Sequence, residues 1–176
     1  MRNRVVGMAL AGVLVVVPAV AEAKTIKGNS GNNTLKGTQK ADTISGLLGN
    51  DKIDGLGGND TICGGAGNDE IDGDAGTDWI AGQSGRDELS GGSGNDKLYG
   101  NSGNDEIDGD RGNDTIRGGD GNDQLEGSSG KDTIAGGAGN DRIEGGTGAD
   151  KLSGGSGSNR VYQNEEPDFD NDGDDD

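Results

Sequence analysis

The chain has 176 residues, 39 of them glycine, with 27 % hydrophobic and 2 % aromatic side chains, and 33 acids against 15 bases give a formal charge of −18. So few apolar side chains exclude an ordinary packed core, and so negative a surface argues against nucleic acid or anionic membranes and for cations as partners. The absence of histidine removes the commonest general base, the zincin motif and the Ser-His-Asp triad together, so no enzyme is expected.

Residues 1–23 open on the basic "MRNR", continue through the apolar "VVGMALAGVLVVVPAV" and end on the small-residue patterns "AVA" and "AEA". That is the three-part layout of a secretory signal peptide, with cleavage after Ala21 or Ala23. The apolar run is shorter than the roughly 20 residues a spanning helix needs, so no membrane span is expected in the mature chain. No cysteine stands directly after the run, which argues against a lipoprotein anchor. The mature protein is expected outside the cytoplasm, secreted or periplasmic. Residues 24–27 read as a short lead-in.

From Gly28 to Tyr162 the sequence divides into fifteen nonapeptides without insertion or deletion. Position one is always glycine, and position four is glycine in every repeat but the second, which has Lys40. Position six is aspartate in thirteen repeats, with Asn33 and Asn159 in the first and last, and position eight is always aliphatic. One aliphatic between polar neighbours, as in "EID" or "KLY", is a minimal strand with a single inward side chain. Glycines at positions one and four are expected to supply left-handed backbone angles and to let carbonyls converge. The aspartate adds a carboxylate to the same turn, and such oxygen-rich surroundings suit a hard cation. Each nonapeptide is then one turn and one short strand, and two close one flattened coil.

Repeats such as "GGAGNDEID", "GGSGNDKLY", "GGDGNDQLE" and "GGAGNDRIE" fit the pattern G-G-x-G-N/D-D-x-L/I-x, although the second glycine occurs in only six of fifteen. The pattern resembles the RTX, or haemolysin-type, calcium-binding nonapeptide repeat. The resemblance implies an all-β fold, a right-handed parallel β-roll or β-solenoid with two repeats per coil and multiple Ca²⁺ ions held between turns two repeats apart. It also implies backbone carbonyls and the sixth-position aspartates as ligands. Here these are Asp42, Asp51, Asp60, Asp69, Asp78, Asp87, Asp96, Asp105, Asp114, Asp123, Asp132, Asp141 and Asp150.

The departures carry expectations of their own. Turns holding Asn33 or Asn159 lack a carboxylate and should bind weakly or not at all. Lys40 stands where a positive backbone angle is expected and brings a cation beside the metal, which weakens the site between the turns of Asp42 and Asp60. Eleven pairs of turns two repeats apart carry aspartate on both members, so about eleven fully formed sites are the most expected. Removing residues 1–23 leaves a charge of −19, which eleven Ca²⁺ ions would bring to +3. With one aliphatic per repeat set against the conformational entropy of a glycine-rich chain, folding is expected to require the metal.

Two repeats per coil place odd and even repeats on opposite faces, with positions seven and nine outward. The odd face is acidic at these positions. The even face has no acid there and carries Thr43, Thr61, Thr115 and Thr133 together with Trp79, Tyr99, Cys63 and three bases. A flat face of this composition suits contact with carbohydrate or protein, while the same threonines also simply suit strands. Cys63 has no internal disulfide partner. The segment after the array, residues 163–176, reads as a disordered acidic tail in which Asp168–Gly173, "DFDNDG", has the opening spacing of an EF-hand loop without its twelfth-position glutamate. The function expected is a calcium-folded binding, adhesion or extracellular matrix module. A soluble calcium buffer is the alternative. A calcium-dependent ice-binding protein is the remotest reading, because the threonine column is interrupted by Trp79 and Lys97.

Overall fold

The computed structural model describes residues 22–163. The signal-peptide reading and the acidic-tail reading therefore fall outside the described residues, apart from Glu22, Ala23 and Gln163. Among the described residues every regular element is a β-strand and every pairing is parallel, and the coils stack into a β-solenoid.

The eighteen-residue period sets the architecture. Each strand pairs with the strand two repeats on, in unbroken register: Ile44 opposite Ile62, Ile62 opposite Ile80, Ile80 opposite Leu98. Even repeats build one eight-stranded sheet and odd repeats the other. Parallel neighbours need a long crossover between them, and here the crossover is the other half of the coil. Thr25–Lys27, which the sequence reading left outside the array, is the first strand of the even sheet and pairs with Thr43–Ser45.

The two sheets are unequal in width. Even strands run six residues, as in Trp79–Ser84 and Lys97–Ser102, whereas most odd strands run three, as in Glu70–Asp72 and Glu88–Ser90. The even strands therefore continue through positions one to three of the following odd repeat. This adds Asp120, the third residue of an odd repeat, to the even sheet, so the absence of acids on that face holds only for its position-seven and position-nine columns.

Position eight is the core. Twelve consecutive side chains from Ile44 to Ile143 are at most 2 % exposed, Ile26, Leu35 and Leu152 are partly buried, and Val161 at the last strand is 43 % exposed. Each buried aliphatic contributes about 1.5–3 kcal/mol, and one for every nine residues makes a column one side chain thick.

Candidate metal centres between the turns

Each coil has two turns, and the sixth-position aspartates form a column along each. On one edge the N–H of Asp42 donates to Asp60 Oδ1 at 2.6 Å, that of Asp60 to Asp78 Oδ1 at 2.6 Å and that of Asp78 to Asp96 Oδ1 at 2.7 Å, and so on to Asp150. The other edge repeats the arrangement from Asn33, whose N–H donates to Asp51, through Asp69, Asp87, Asp105, Asp123 and Asp141 to Asn159. One carboxylate oxygen of each aspartate is thereby committed to the backbone of the coil before it.

The second oxygen is not. Oδ2 of Asp51, Asp60, Asp69, Asp78, Asp87, Asp96, Asp105, Asp114, Asp123, Asp132 and Asp141 is shielded from solvent and has no hydrogen-bond partner. Buried polar groups are ordinarily paired, and an unpaired carboxylate oxygen is costly. These are eleven of the thirteen candidate ligands. The other two have partners at Oδ2: Thr38 N–H and hydroxyl for Asp42, at 2.6 and 2.9 Å, and the Gln163 side-chain amide for Asp150, at 3.2 Å.

The space beside each orphaned oxygen is kept open by the glycine at position one. A Cβ on Gly46 would lie 2.2 Å from Asp51 Oδ2 and 2.5 Å from the Gly64 carbonyl oxygen. A Cβ on Gly100 would lie 2.2 Å from Asp105 Oδ2 and 2.7 Å from Gly118 O. Carboxylate and carbonyl oxygens thus face one another across a gap that no side chain fills. Among the described residues no three acidic or cysteine side chains converge on one point, so a cation here would take its oxygens from carbonyls as well as carboxylates. With neither imidazole nor thiolate available in the turns, that donor set fits a hard cation such as Ca²⁺.

The left-handed backbone lies at positions two and four rather than one and four. Position two is left-handed even where it is not glycine, at Leu47, Leu56, Asp74, Gln83, Asn101, Asp110 and Ser128. Position-one glycines are not left-handed, which corrects the sequence expectation: their requirement is space beside the carboxylate. At position four both demands coincide. Gly94 has φ +147°, and a Cβ there would lie 1.4 Å from Gly76 O. The expectation for Lys40 is corrected as well. Lys40 does not enter the left-handed region, because this turn closes differently, with Lys40 N–H donating to Thr38 Oγ1 at 3.2 Å and Thr38 holding Asp42.

Burial pushes the pKa of Asp78, Asp87 and Asp114 up to about 7 and that of Asp123 up to about 6. The donated N–H offsets part of this, and neighbouring carboxylates in the column add to it. Asp60, Asp69, Asp96, Asp105 and Asp132 are raised for the same leading reason. Asp42 goes the other way: burial pushes it up, but the Lys24 N–H and the Thr38 hydroxyl and N–H together hold it below its ordinary value. A cation supplies what the raised carboxylates lack.

Two features escaped the sequence reading. Asparagines at position five form a second set of ladders running in the opposite sense, as where Asn68 N–H donates to Asn50 Oδ1 and Arg86 N–H to Asn68 Oδ1, each at 2.9 Å. The recurring "N-D" pair was the available signal. The odd sheet also gathers Asp54, Asp72 and Asp74, with the Asp74 pKa raised by burial and by those two neighbours. The signal there was "EIDGD", which occurs at Glu70–Asp74 and again at Glu106–Asp110.

The family model of the RTX calcium-binding nonapeptide repeat matches this chain repeatedly, at residues 27–62, 57–89, 64–98, 82–116, 90–125, 99–134 and 126–161. No curated protein matches it.

Proposed function

Because the chain belongs to the RTX calcium-binding nonapeptide repeat family, we propose that it is a secreted protein whose roll folds as Ca²⁺ fills its turns and which then serves as an extracellular binding or matrix module. The observation that carries the reading is the set of eleven shielded aspartate oxygens without partners. Two repeats apart they make nine pairs among themselves, and the two remaining pairs of the eleven that the sequence offers involve Asp42 and Asp150. The proposed ligands are those eleven aspartates with the glycine carbonyls facing them. Asp42 and Asp150, whose free oxygens are already bonded, belong to weaker end sites.

Without the cation, columns of buried carboxylates repel one another around a core one side chain thick. With it, the same oxygens become the links between successive coils, so binding energy appears as folding energy. Millimolar calcium outside the cell matches the ~10⁻⁴–10⁻³ M range of extracellular calcium modules. The contact surface is the even sheet, flat and in register, with Thr43, Thr61, Trp79, Lys97, Thr115 and Thr133 in one lateral column.

Titrating the chain from residue 24 onward with Ca²⁺, with far-UV circular dichroism and hydrodynamic radius as readouts and Mg²⁺ as control, tests the first half. The expected result is a steep, calcium-specific change from an expanded coil to a compact β form. A chain already β-rich in chelator, or unmoved by millimolar calcium, sinks it. A soluble calcium buffer is the second reading, supported by the number of orphaned oxygens alone. It predicts a calcium-folded monomer that no extracellular polymer retains.

A further inference from the structure

On the even sheet, Trp79 and Tyr99 stand on adjacent strands one column apart, with ring centroids 5.7 Å apart and planes inclined at 39°. Ala81, paired with Tyr99 in the sheet and only 3 % exposed, forms a floor beside them. From there an open groove of about 530 Å³ continues along the strands past Gln83, Ser84 and Asn101. Trp79 remains 38 % exposed although it is the chain's only tryptophan on a face with ample smaller residues.

The charge around the groove runs against that of the chain. Lys97 is the lateral neighbour of Trp79, and Arg117 that of Tyr99. Neither side chain forms an ion pair among those found between described residues. The position-seven and position-nine columns of this face hold no acid, and Asp120 lies at the far rim beside Ser102. The opposite sheet instead stacks Glu70, Glu88 and Glu106 directly on one another.

We infer that this groove binds a segment of an acidic polysaccharide, one bearing carboxylate or sulfate groups. The inference rests on the even sheet being the contact face of the calcium-folded roll. Each part of the groove has a counterpart in such a ligand. Aromatic faces take the C–H face of a pyranose ring while their polar edges stay wet. Side-chain amides and a hydroxyl donate to and accept from sugar hydroxyls: Gln83 and Ser84 lie on the Trp79 strand, and Asn101, whose amide also donates to Tyr99 O at 3.3 Å, lies on the next. Lys97 and Arg117 supply the cations for the anionic substituents. An extended polymer also suits a groove that runs along the neighbouring strands Trp79–Ser84 and Lys97–Ser102.

The emission of Trp79 reports on the groove directly. The chain from residue 24 onward in millimolar Ca²⁺ is titrated with dextran sulfate, with neutral dextran of matched length as control and circular dichroism recorded on the same samples. The expected result is a saturable emission change with dextran sulfate, at least tenfold weaker with dextran, and suppressed by added salt. Tyr99→Ala and the pair Lys97→Ala with Arg117→Ala should each weaken it tenfold or more while the calcium-induced β signal is unchanged, and Lys151→Ala, further along the sheet, should leave it intact. Equal response to dextran, wild-type binding by the Lys97/Arg117 variant, or a folded chain with no response overturns the assignment and leaves calcium-driven folding standing. Self-association in place of a saccharide response assigns the face to a second copy and equally overturns it. A chain that is β-rich without calcium sinks the folding proposal instead, and the same titration in chelator then decides the groove.

Discussion

The N–H of Asp60 donates to Asp78 Oδ1 at 2.6 Å, while Asp78 Oδ2, on the same carboxylate and equally shielded, has no partner. One half of the side chain is bonded to the backbone of the coil before it, and the other half is the oxygen proposed as a calcium ligand. The two halves can be separated by substitution. Asp96→Asn keeps an acceptor for the Asp78 N–H, as Asn159 does for the Asp141 N–H at 2.8 Å, but removes the negative charge. The variant should bind at least one Ca²⁺ fewer by calorimetry and need more calcium to fold. An unchanged stoichiometry would count against Asp96 as a ligand.

The pH dependence follows from the direction of the shifts. Asp78, Asp87 and Asp114 near 7 and Asp123 near 6 stand above the 3.8 of an unperturbed aspartate. Groups raised in the fold bind protons more tightly there than in the unfolded chain, so they favour the fold at acid pH. That contribution is complete below about pH 4 and is lost as pH rises through 6 to 7. In calcium-free buffer, β-structure should therefore increase on acidification across this window. In calcium the same protons compete with the metal, so the calcium midpoint should rise as pH falls. Circular dichroism at fixed ionic strength follows both.

Position one tolerates no side chain. Gly100→Ala places a Cβ 2.2 Å from Asp105 Oδ2 and 2.7 Å from Gly118 O, a clash expected to cost about 1–3 kcal/mol and to displace the oxygens facing the gap. Leu56→Gly is the contrasting change. Leu56 has φ +75°, a conformation that costs an ordinary L-residue about 1–2 kcal/mol, so glycine there should fold at equal or lower calcium. Calcium-dependent folding curves of the two variants should move in opposite directions.

The second repeat offers a gain of function. Thr38 holds Asp42 Oδ2 through its N–H and hydroxyl, and Lys40 occupies the fourth position. Thr38→Gly combined with Lys40→Gly removes the hydroxyl and gives this turn the glycine its neighbours have. The double variant should bind one more Ca²⁺ per chain. If stoichiometry stays fixed while stability falls, the Thr38 closure is a cap rather than a blocked site.

Much of the molecule could be read along the chain because its period is short and nothing interrupts it. Fifteen aliphatics in phase predict an inward column, and Ile44 through Ile143 form it. Strict alternation of repeats predicts two faces, and the parallel register puts Thr43 beside Thr61 and Glu70 beside Glu88 as expected. These inferences need only the nine-residue count and the two-residue period of a strand.

The assignments that depend on three-dimensional neighbours were out of reach. Which glycine answers to backbone angle and which to space depends on where Asp51 Oδ2 and Gly64 O lie relative to Gly46, and these belong to different coils. That Thr38 rather than Lys40 governs the second turn depends on an oxygen four residues away. The meeting of Trp79 with Tyr99, twenty residues apart, depends on the register between strands. A repeat dictates its own periodicity locally, whereas the carboxylate ladders, the gaps between coils and the Trp79–Tyr99 contact join residues about eighteen to twenty apart, where only stacking brings the atoms together.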